Sequence, residues 1–187
     1  MTGRPAPTQV EVRAVGADDG EALRVFFGAV PDGDRTFFRE DVLPPGVVEG
    51  WVGRPDQRRL VALVDGVVAG HAGVLRGAPL SEHVGELRLV VDPAWRRRGL
   101  GRLLAQRAVH EAADMGLTKL VVEVIAEQAP TVAMFEGIGF QIEGRLRGHV
   151  RSPAGDTHDL LVLAHHGVPG LAESIPVPDG AMGPDGS

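Results

Sequence analysis

Three arginines run into two glycines spaced one apart, Arg96-Arg97-Arg98-Gly99-Leu100-Gly101, directly before an apolar helical pattern. Backbone N–H groups at a helix start have no partner within the helix, and the helix dipole adds partial positive charge there. Glycines let the chain approach an anion closely. Strand, tight glycine loop and helix start together make a phosphate-binding arrangement. Three loop patterns compete for it. A P-loop needs GxxxxGK followed by Ser or Thr, and nothing after Gly99 supplies it. A dinucleotide loop needs a third glycine where Leu104 stands. The remaining pattern, Arg/Gln-x-x-Gly-x-Gly/Ala, is met in full, after an apolar run that ends in Val91-Asp92-Pro93.

The elements around this loop follow from periodicity. Val10, Val12 and Ala14 alternate with polar neighbours and predict a strand near 9–15. Asp18 or Asp19 is placed to cap a helix over 20–29, and a second helix is expected at 34–42, stopped by Pro44-Pro45-Gly46. Leu60 to Val64 and Val67 to Leu75 are β-rich runs joined by Asp65-Gly66, a preferred type I′ hairpin turn. A strand at 83–91 leads into the loop. The helix after it, at 99–115, keeps Leu100/Leu104/Ala108/Ala112 and Ala105/Val109/Ala113 in rows of four-residue spacing on one face, and Gly116 suits its left-handed cap. A strand at 118–125 then completes a strand–helix–strand unit, which implies a right-handed parallel crossover. A short helix at 130–137 and a strand pair at 139–147 and 158–165 follow, joined by a loop at 152–157. The prediction is a single domain at 9–166, with a loose start at 1–8 and a Pro/Gly-rich tail at 167–187 expected to be mobile.

Composition removes several function classes. The 187 residues suffice for one domain with a real core. Nineteen Lys and Arg against 25 Asp and Glu give a formal charge of −6, which argues against a general nucleic-acid or anionic-membrane binder. A local basic patch remains at Arg96, Arg97, Arg98 and Arg102. The absence of cysteine excludes disulfides, thiolate metal sites and a covalent Cys–acyl intermediate, and fits a reducing cytoplasm. No apolar run approaches the ~18 residues of a membrane span. The first residues lack the apolar stretch of a signal peptide, so a cytoplasmic location is expected. His165 and His166 point to opposite faces of a strand, and no metal site is expected.

"ELRLVVDPAWRRRGLGRLLAQRAVHEAADMG" (86–116) resembles the central motif of the GNAT superfamily of acyl-CoA-dependent N-acyltransferases. "VAMFEGIGF" (132–140) is similar to the family's next motif, which usually ends Tyr-x-x-x-Gly-Phe. The resemblance covers about residues 9–166. It implies an α/β fold: a mixed, mostly antiparallel twisted sheet of six to seven strands, with a central parallel pair and flanking helices. It implies acetyl-CoA as acyl donor, no metal, and an amine acceptor attacking directly in a ternary complex. The amides of Arg97, Arg98, Gly99, Leu100, Gly101 and Arg102 would cradle the coenzyme pyrophosphate, and arginine side chains including Arg96 would screen it. Leu89, Val90 and Val91 would pair with the pantetheine arm, the N–H of Val90 or Val91 facing the charge that develops on the carbonyl oxygen.

An alkylamine has a pKa near 10, so transfer needs a base. Glu86 is the first candidate, because many relatives carry a catalytic Glu on this strand. Glu123 is the second and His83 the third. Alternation puts Glu86, Arg88 and Val90 on one face and Leu87, Leu89 and Val91 on the other. The competing reading of Glu86 is a surface carboxylate paired with a cross-strand arginine. Phe135 stands where many relatives have a Tyr that protonates the leaving thiolate, and this chain has no tyrosine. A thiolate leaves tolerably without an acid, and solvent would protonate it afterwards. Gln128 stands where relatives often have Asn and is expected to contact the coenzyme.

Acceptor choice in the family lies in the first helices and the last strand pair. Phe26, Phe27, Phe37 and Phe38 fall in the first region, where core packing accounts for at least two. Phe27 and Phe38 are the candidates for an acceptor wall, with Arg35, Arg39, Glu40 and Asp41 nearby. The segment 143–166 resembles the C-terminal part of small-molecule amine and amino-acid acetyltransferases, and also of relatives that modify protein N-termini. In it His149 and His158 are expected to face the acceptor and Asp159 to be structural. The expected function is acetyl transfer to a primary amine of a small molecule or amino acid. Alternatives are a peptide or protein N-terminal or lysine acetyltransferase, a non-catalytic acyl-CoA sensor, and a nucleotide binder using the same loop. The family's habit of pairing subunits adds a homodimer.

Overall fold

The computed structural model describes residues 9–31, 41–152 and 154–167. The expected helix at 34–42 falls mostly outside them, and its last positions, Asp41 and Val42, are not helical. Arg35, Phe37, Phe38, Arg39 and Glu40 also lie outside the described residues, as do 1–8 and 168–187.

Seven strands form one sheet: β1 (Val10–Ala14), β2 (Gln57–Val64), β3 (Val67–Arg76), β4 (Val84–Val91), β5 (Lys119–Ile125), β6 (Gln141–Arg151) and β7 (Thr157–His166). Their order is β1-β2-β3-β4-β5-β7-β6. All neighbours are antiparallel except β4 and β5. The β2–β3 turn has positive φ at both Asp65 (49°) and Gly66 (81°), as a type I′ turn requires. Among the described residues the α-helices are α1 (Gly20–Ala29), α2 (Leu100–Asp114) and α3 (Ala129–Glu136).

Each face of the sheet carries its own core. Under α2 lie Leu60, Ala72, Leu87, Leu120 and Val122, meeting Leu104, Ala105, Ala108 and Ala112 of the helix. This is the four-residue row anticipated from the sequence; its small residues let the helix sit close, and each buried Leu contributes about 1.5–3 kcal/mol. Under α1 the core is smaller and more aromatic, with Leu23, Phe26, Phe27, Trp51, Val61 and Val90. β6 forms the end of the sheet and is exposed along nearly its whole length. It runs four residues beyond the expected end at 147, because after an irregularity between Leu146 and Val150 pairing with β7 resumes to Arg151 and Thr157. Among the described residues, no helix is long and apolar enough to cross a membrane.

The parallel ladder is short. It joins Val84–Leu87 to Lys119–Val122 and then stops. β4 continues along β3 to Val91, and β5 continues along β7 to Ile125. The sheet therefore forks between β4 and β5.

Candidate active site

A cleft of about 700 Å³ fills the fork. One wall is β4 from Glu86 to Val91, the other is Val122, Glu123 and Val124 of β5. Asp92 N–H donates to Ala69 O at 2.9 Å, continuing the β3 ladder, which sets the alternation along β4. Val90 therefore turns its backbone groups to β3, and Leu89 and Val91 turn theirs to the cleft. Arg96 Nε donates to Val91 O at 3.1 Å, consistent with this. Of the two amides named from the sequence as oxyanion donors, Val91 has the one on the cleft side.

The cleft ends at the loop. Arg96, Arg97, Gly99, Gly101 and Arg102 line it, with Gln128, Met134 and Phe135 of the α3 segment opposite. Asp92 Oδ1 accepts from Ala94 N–H at 2.7 Å, which fixes the turn out of β4. Gly99 is the N-cap of α2 at φ 84°, and Arg97 also has a positive φ of 61°. A non-glycine residue in this region is uncommon and strained by about 1–2 kcal/mol. Such strain gathers at functional sites, and a left-handed kink next to a helix start turns successive N–H groups inward. A side chain at Gly101 would meet only ordinary contacts, Met134 Sδ and Val91 Cγ2 at 3.6 Å.

The four arginines divide. Arg96 is tied to Val91 O, Arg102 Nη2 donates to Gly137 O at 3.0 Å, and Arg97 lines the cleft. Arg98 instead lies over Trp95, 4.9 Å from its ring centroid, and is not a cleft-lining side chain. Leu100 turns its side chain into the core, so only its backbone is placed at the helix start.

Glu86 and Glu123 both line the cleft. Glu86 is in register with Val121, so Val121 and Glu123 share the face of the sheet with Glu86 and Arg88. Glu86 stands in the last part of the ladder and Glu123 just beyond its end. Glu86 Oε1 accepts from Arg88 Nε at 2.9 Å and Oε2 from Arg88 Nη2 at 3.3 Å. The competing reading paired Glu86 with a cross-strand arginine; this arginine is instead two positions along the same strand. Its side chain is 34% exposed and that of Arg88 13%. Arg88 aims the carboxylate while one side of it stays open.

The sequence matches the family described as acetyltransferase (GNAT) family over residues 26–140. The chain belongs to this family. It is 29% identical to the L-amino acid N-acetyltransferase AaaT of Escherichia coli K12 over 93 residues, which are 49% of this chain and 57% of that protein. The chain spans about half the length of the curated relatives it matches. The GNAT acetyltransferase of Streptococcus pneumoniae superposes with a TM-score of 0.76 at 21% identity, covering 84% of this chain and 99% of that one. yncA of Salmonella typhimurium, solved with its cofactor acetyl-CoA, gives 0.71 at 21% identity over 92% and 99%. These likenesses establish the GNAT fold.

Other residues expected at a GNAT site are elsewhere. Phe27 is fully buried, its ring 6.1 Å from Trp51 and 5.2 Å from His71, and has no surface to offer an acceptor. His83 and His149 are exposed and His158 sits 3.7 Å from Glu127; none of the three lines the cleft. Asp159 accepts from Gly148 N–H at 2.8 Å and from Arg145 Nε at 2.7 Å, which lowers its pKa from the ordinary carboxylate value and fits the structural role expected. His165 packs on Phe140 and burial lowers its pKa, while His166 meets Glu143. Among the described residues, no three His, Asp or Glu side chains converge to hold a metal.

Thr131, Pro130 and Met134 line the cleft without having been singled out. Pro130 in the first turn of α3 was the available signal, since it marks a second helix start directly after β5. Gln57 and Arg59 also went unnoticed. Both are buried on the α1 face of β2 beside Val61, and two polar residues in step with a buried Val were the clue.

Proposed function

We propose that this chain transfers an acetyl group from acetyl-CoA to a primary amine of a small acceptor, by direct attack in a ternary complex. The observation that carries the reading is the fork itself. A strand edge presenting the backbone of Leu89 and Val91 runs into a helix start with two left-handed residues, and two carboxylates stand on one face beside it.

The cleft suits the coenzyme chemically. Its phosphate end has amides at a helix start, Arg97 and Arg102; its middle has an unladdered strand edge; its walls at Met134 and Phe135 are apolar. Bound acetyl-CoA supplies an acyl thioester. Leu89 and Val91 hold the arm by backbone hydrogen bonds, and the Val91 N–H stabilises negative charge on the carbonyl oxygen. Glu86, aimed by Arg88, accepts the amine proton on a carboxylate lone pair at its exposed side, directly or through a water. The N–C bond forms as the C–S bond breaks. Phe135 has no proton to give the departing sulfur, so solvent supplies it. The similarity to the L-amino acid N-acetyltransferase AaaT is in keeping with a small amine-bearing acceptor. A chain without cysteine fits work in a reducing cytoplasm.

Calorimetric titration with acetyl-CoA, with ATP and NAD as controls, followed by thiol-release assays over small amines and N-terminal peptides, tests this. Selective acetyl-CoA binding and turnover with a small amine are expected. Tighter binding of ATP or NAD would overturn it. The missing hydroxyl at Phe135 favours one second reading, an acyl-CoA sensor; tight coenzyme binding with no turnover on any amine would select it.

A further inference from the structure

The two faces of β5 are covered unequally. Leu120, Val122 and Val124 are buried in the core under α2, whereas Val121, Glu123 and Ile125 are only half-buried. Among the described residues, the core under α1 takes in β2, β3 and β4 but no residue of β5, β6 or β7. The register fixes what lies on the open part. Glu123 is opposite Val162, and Val162 is opposite Gly144. Residues directly opposite one another share a face. The row Val121–Ala164 borders them on one side and Ile125–Leu160–Leu146 on the other. Val162 is half-buried and Leu146 is 37% exposed. Two strand spacings of ~4.8 Å separate Glu123 from Gly144, so the row is about 10 Å long. Glu123 also lines the cleft with Glu86, so the row opens directly onto the site.

Gly144 makes this row a trough. Glycine weakens a strand interior and needs a reason to be there. Three others within strands have one in the packing: a Cβ would come 2.8 Å from Leu104 Cδ1 at Gly70, 2.9 Å from Arg59 Nη1 at Gly73 and 2.6 Å from Leu117 Cδ1 at Gly85. Gly148 has a left-handed φ of 56°. Gly144 has neither reason. Its φ is not left-handed, and among the described residues nothing lies within 4 Å of a Cβ built on it. The irregularity beside it, at Glu143, therefore does not call for a glycine here. What the glycine does is keep the far end of the row low and apolar. The charges in the row beyond Ala164, Lys119 and His166, are both tied to Glu143. At the near end stand Glu86, with Arg88, and Glu123. An apolar strip that begins at two carboxylates complements a molecule with an ammonium at one end and hydrocarbon behind it.

We propose that this trough holds the carbon chain of the acceptor: the amine stands at Glu86 and Glu123, and the chain lies over Val162 towards Gly144. The acceptor class is then primary amines with an apolar chain, rather than polyamines or amino alcohols. This rests on the acetyltransferase reading above and narrows it.

A matched set tests it: hexylamine, aminopentanol and cadaverine, chains of equal length ending in methyl, hydroxyl and ammonium, in the thiol-release assay with acetyl-CoA. A preference of about tenfold or more in kcat/KM for hexylamine is expected, carried by KM. From propylamine to hexylamine kcat/KM should climb by about twofold to fourfold per methylene. Gly144→Asp places a carboxylate at the far end of the trough, where a Cβ has room. It should reverse the order, lowering KM for cadaverine and raising it for hexylamine, while propylamine, too short to reach that end, keeps its KM. Val162→Thr, of the same shape but polar, should cut the hexylamine preference. Retained acetyl-CoA binding shows that each variant has folded, and the wild-type series stands as a test if neither does. Equal use of the three chains by the wild type, or better use of the polar ones, would overturn the proposal while leaving acetyl transfer intact. An unchanged order in folded Gly144→Asp would overturn it as well. If no amine turns over, the three are titrated into protein saturated with coenzyme A. Binding of hexylamine alone, exchanged for cadaverine in Gly144→Asp, would support the trough, and binding of none or of all alike would overturn it.

Discussion

Under α2 the sheet meets Leu104, Ala105, Ala108 and Ala112 across a surface of Leu, Ala and Val; under α1 the same strands carry Glu86, Arg88, Arg59 and His71 among Phe27 and Trp51. The first face does its work with regularity. It holds β4 and the start of α2 in place, and on the proposed function the coenzyme end of the cleft then draws on backbone N–H groups that any sequence of the right shape would supply. The second face works through individual side chains. A donor common to a whole family can be held by main chain, whereas an acceptor has to be read by groups that differ from one protein to the next. Buried polar residues are costly, and under the proposed function their concentration on one face is where that cost would serve recognition.

The sharpest way to break this contrast is Glu86→Gln. If the α1 face carries the chemistry, kcat falls about 10²–10⁴-fold, the usual worth of a positioned base, while calorimetry finds acetyl-CoA binding unchanged. Loss of both together would mean that the faces are not separable. Leu104→Ala tests the scaffold side. This fully buried side chain should cost about 2–5 kcal/mol in denaturant unfolding, with folded enzyme keeping its acceptor preference.

A third test uses acid. Burial holds the His71 pKa well below its ordinary 6.5, with Arg59 nearby acting in the same direction. The unfolded chain takes up a proton as the pH falls through about 6.5 and the folded chain does not. Stability is therefore complete above that point and drains by up to about 1.4 kcal/mol per pH unit below it, until the folded value is reached. His71→Leu should flatten the loss between pH 6.5 and 5 in urea midpoints. Asp19, whose pKa is lowered by its hydrogen bond from Arg13, has its own loss only at lower pH, from about 4 downward. The smallest effect separates the two glycines. Gly99→Ala puts a Cβ on a residue at φ 84° and should cost about 1 kcal/mol, weakening acetyl-CoA binding several-fold. Gly101→Ala, with only ordinary contacts to meet, should stay within about 0.5 kcal/mol in the same titration.

The same contrast explains what could be read before the fold was known. The strand into the loop, the loop itself and the crossover helix are local in sequence: 86–116 is one continuous stretch in which alternation, a glycine loop and four-residue spacing each have their own period, whereas the fork depends on β5, beyond that stretch. The Asp65-Gly66 turn was legible for the same reason. Arg59 over Gly73 was not. It depends on the register of β2 against β3, which includes a shift between Ala62 and Leu63, and no local pattern announces it. Phe27 shows the converse, since aromaticity near an expected acceptor region said nothing about which way the ring would turn. For Glu86 the face was legible; the competing reading looked for a partner across the sheet, when Arg88, two residues on, was already within reach.

The exposed end of the sheet has a consequence for handling the protein. Among the described residues β6 has no strand beyond it, which leaves a row of backbone donors and acceptors at the edge, with Ile142 and Leu146 exposed beside it. Such an edge invites another chain to add as a further strand. Glu143, Arg145, Arg147 and Arg151 are spread along it, and two irregularities interrupt its pairing. A second copy docking there would set arginine near arginine and meet an edge that does not stay straight. The strand is thereby protected from open-ended stacking, and the chain should remain dispersed when concentrated at low ionic strength, clumping first when salt screens these charges.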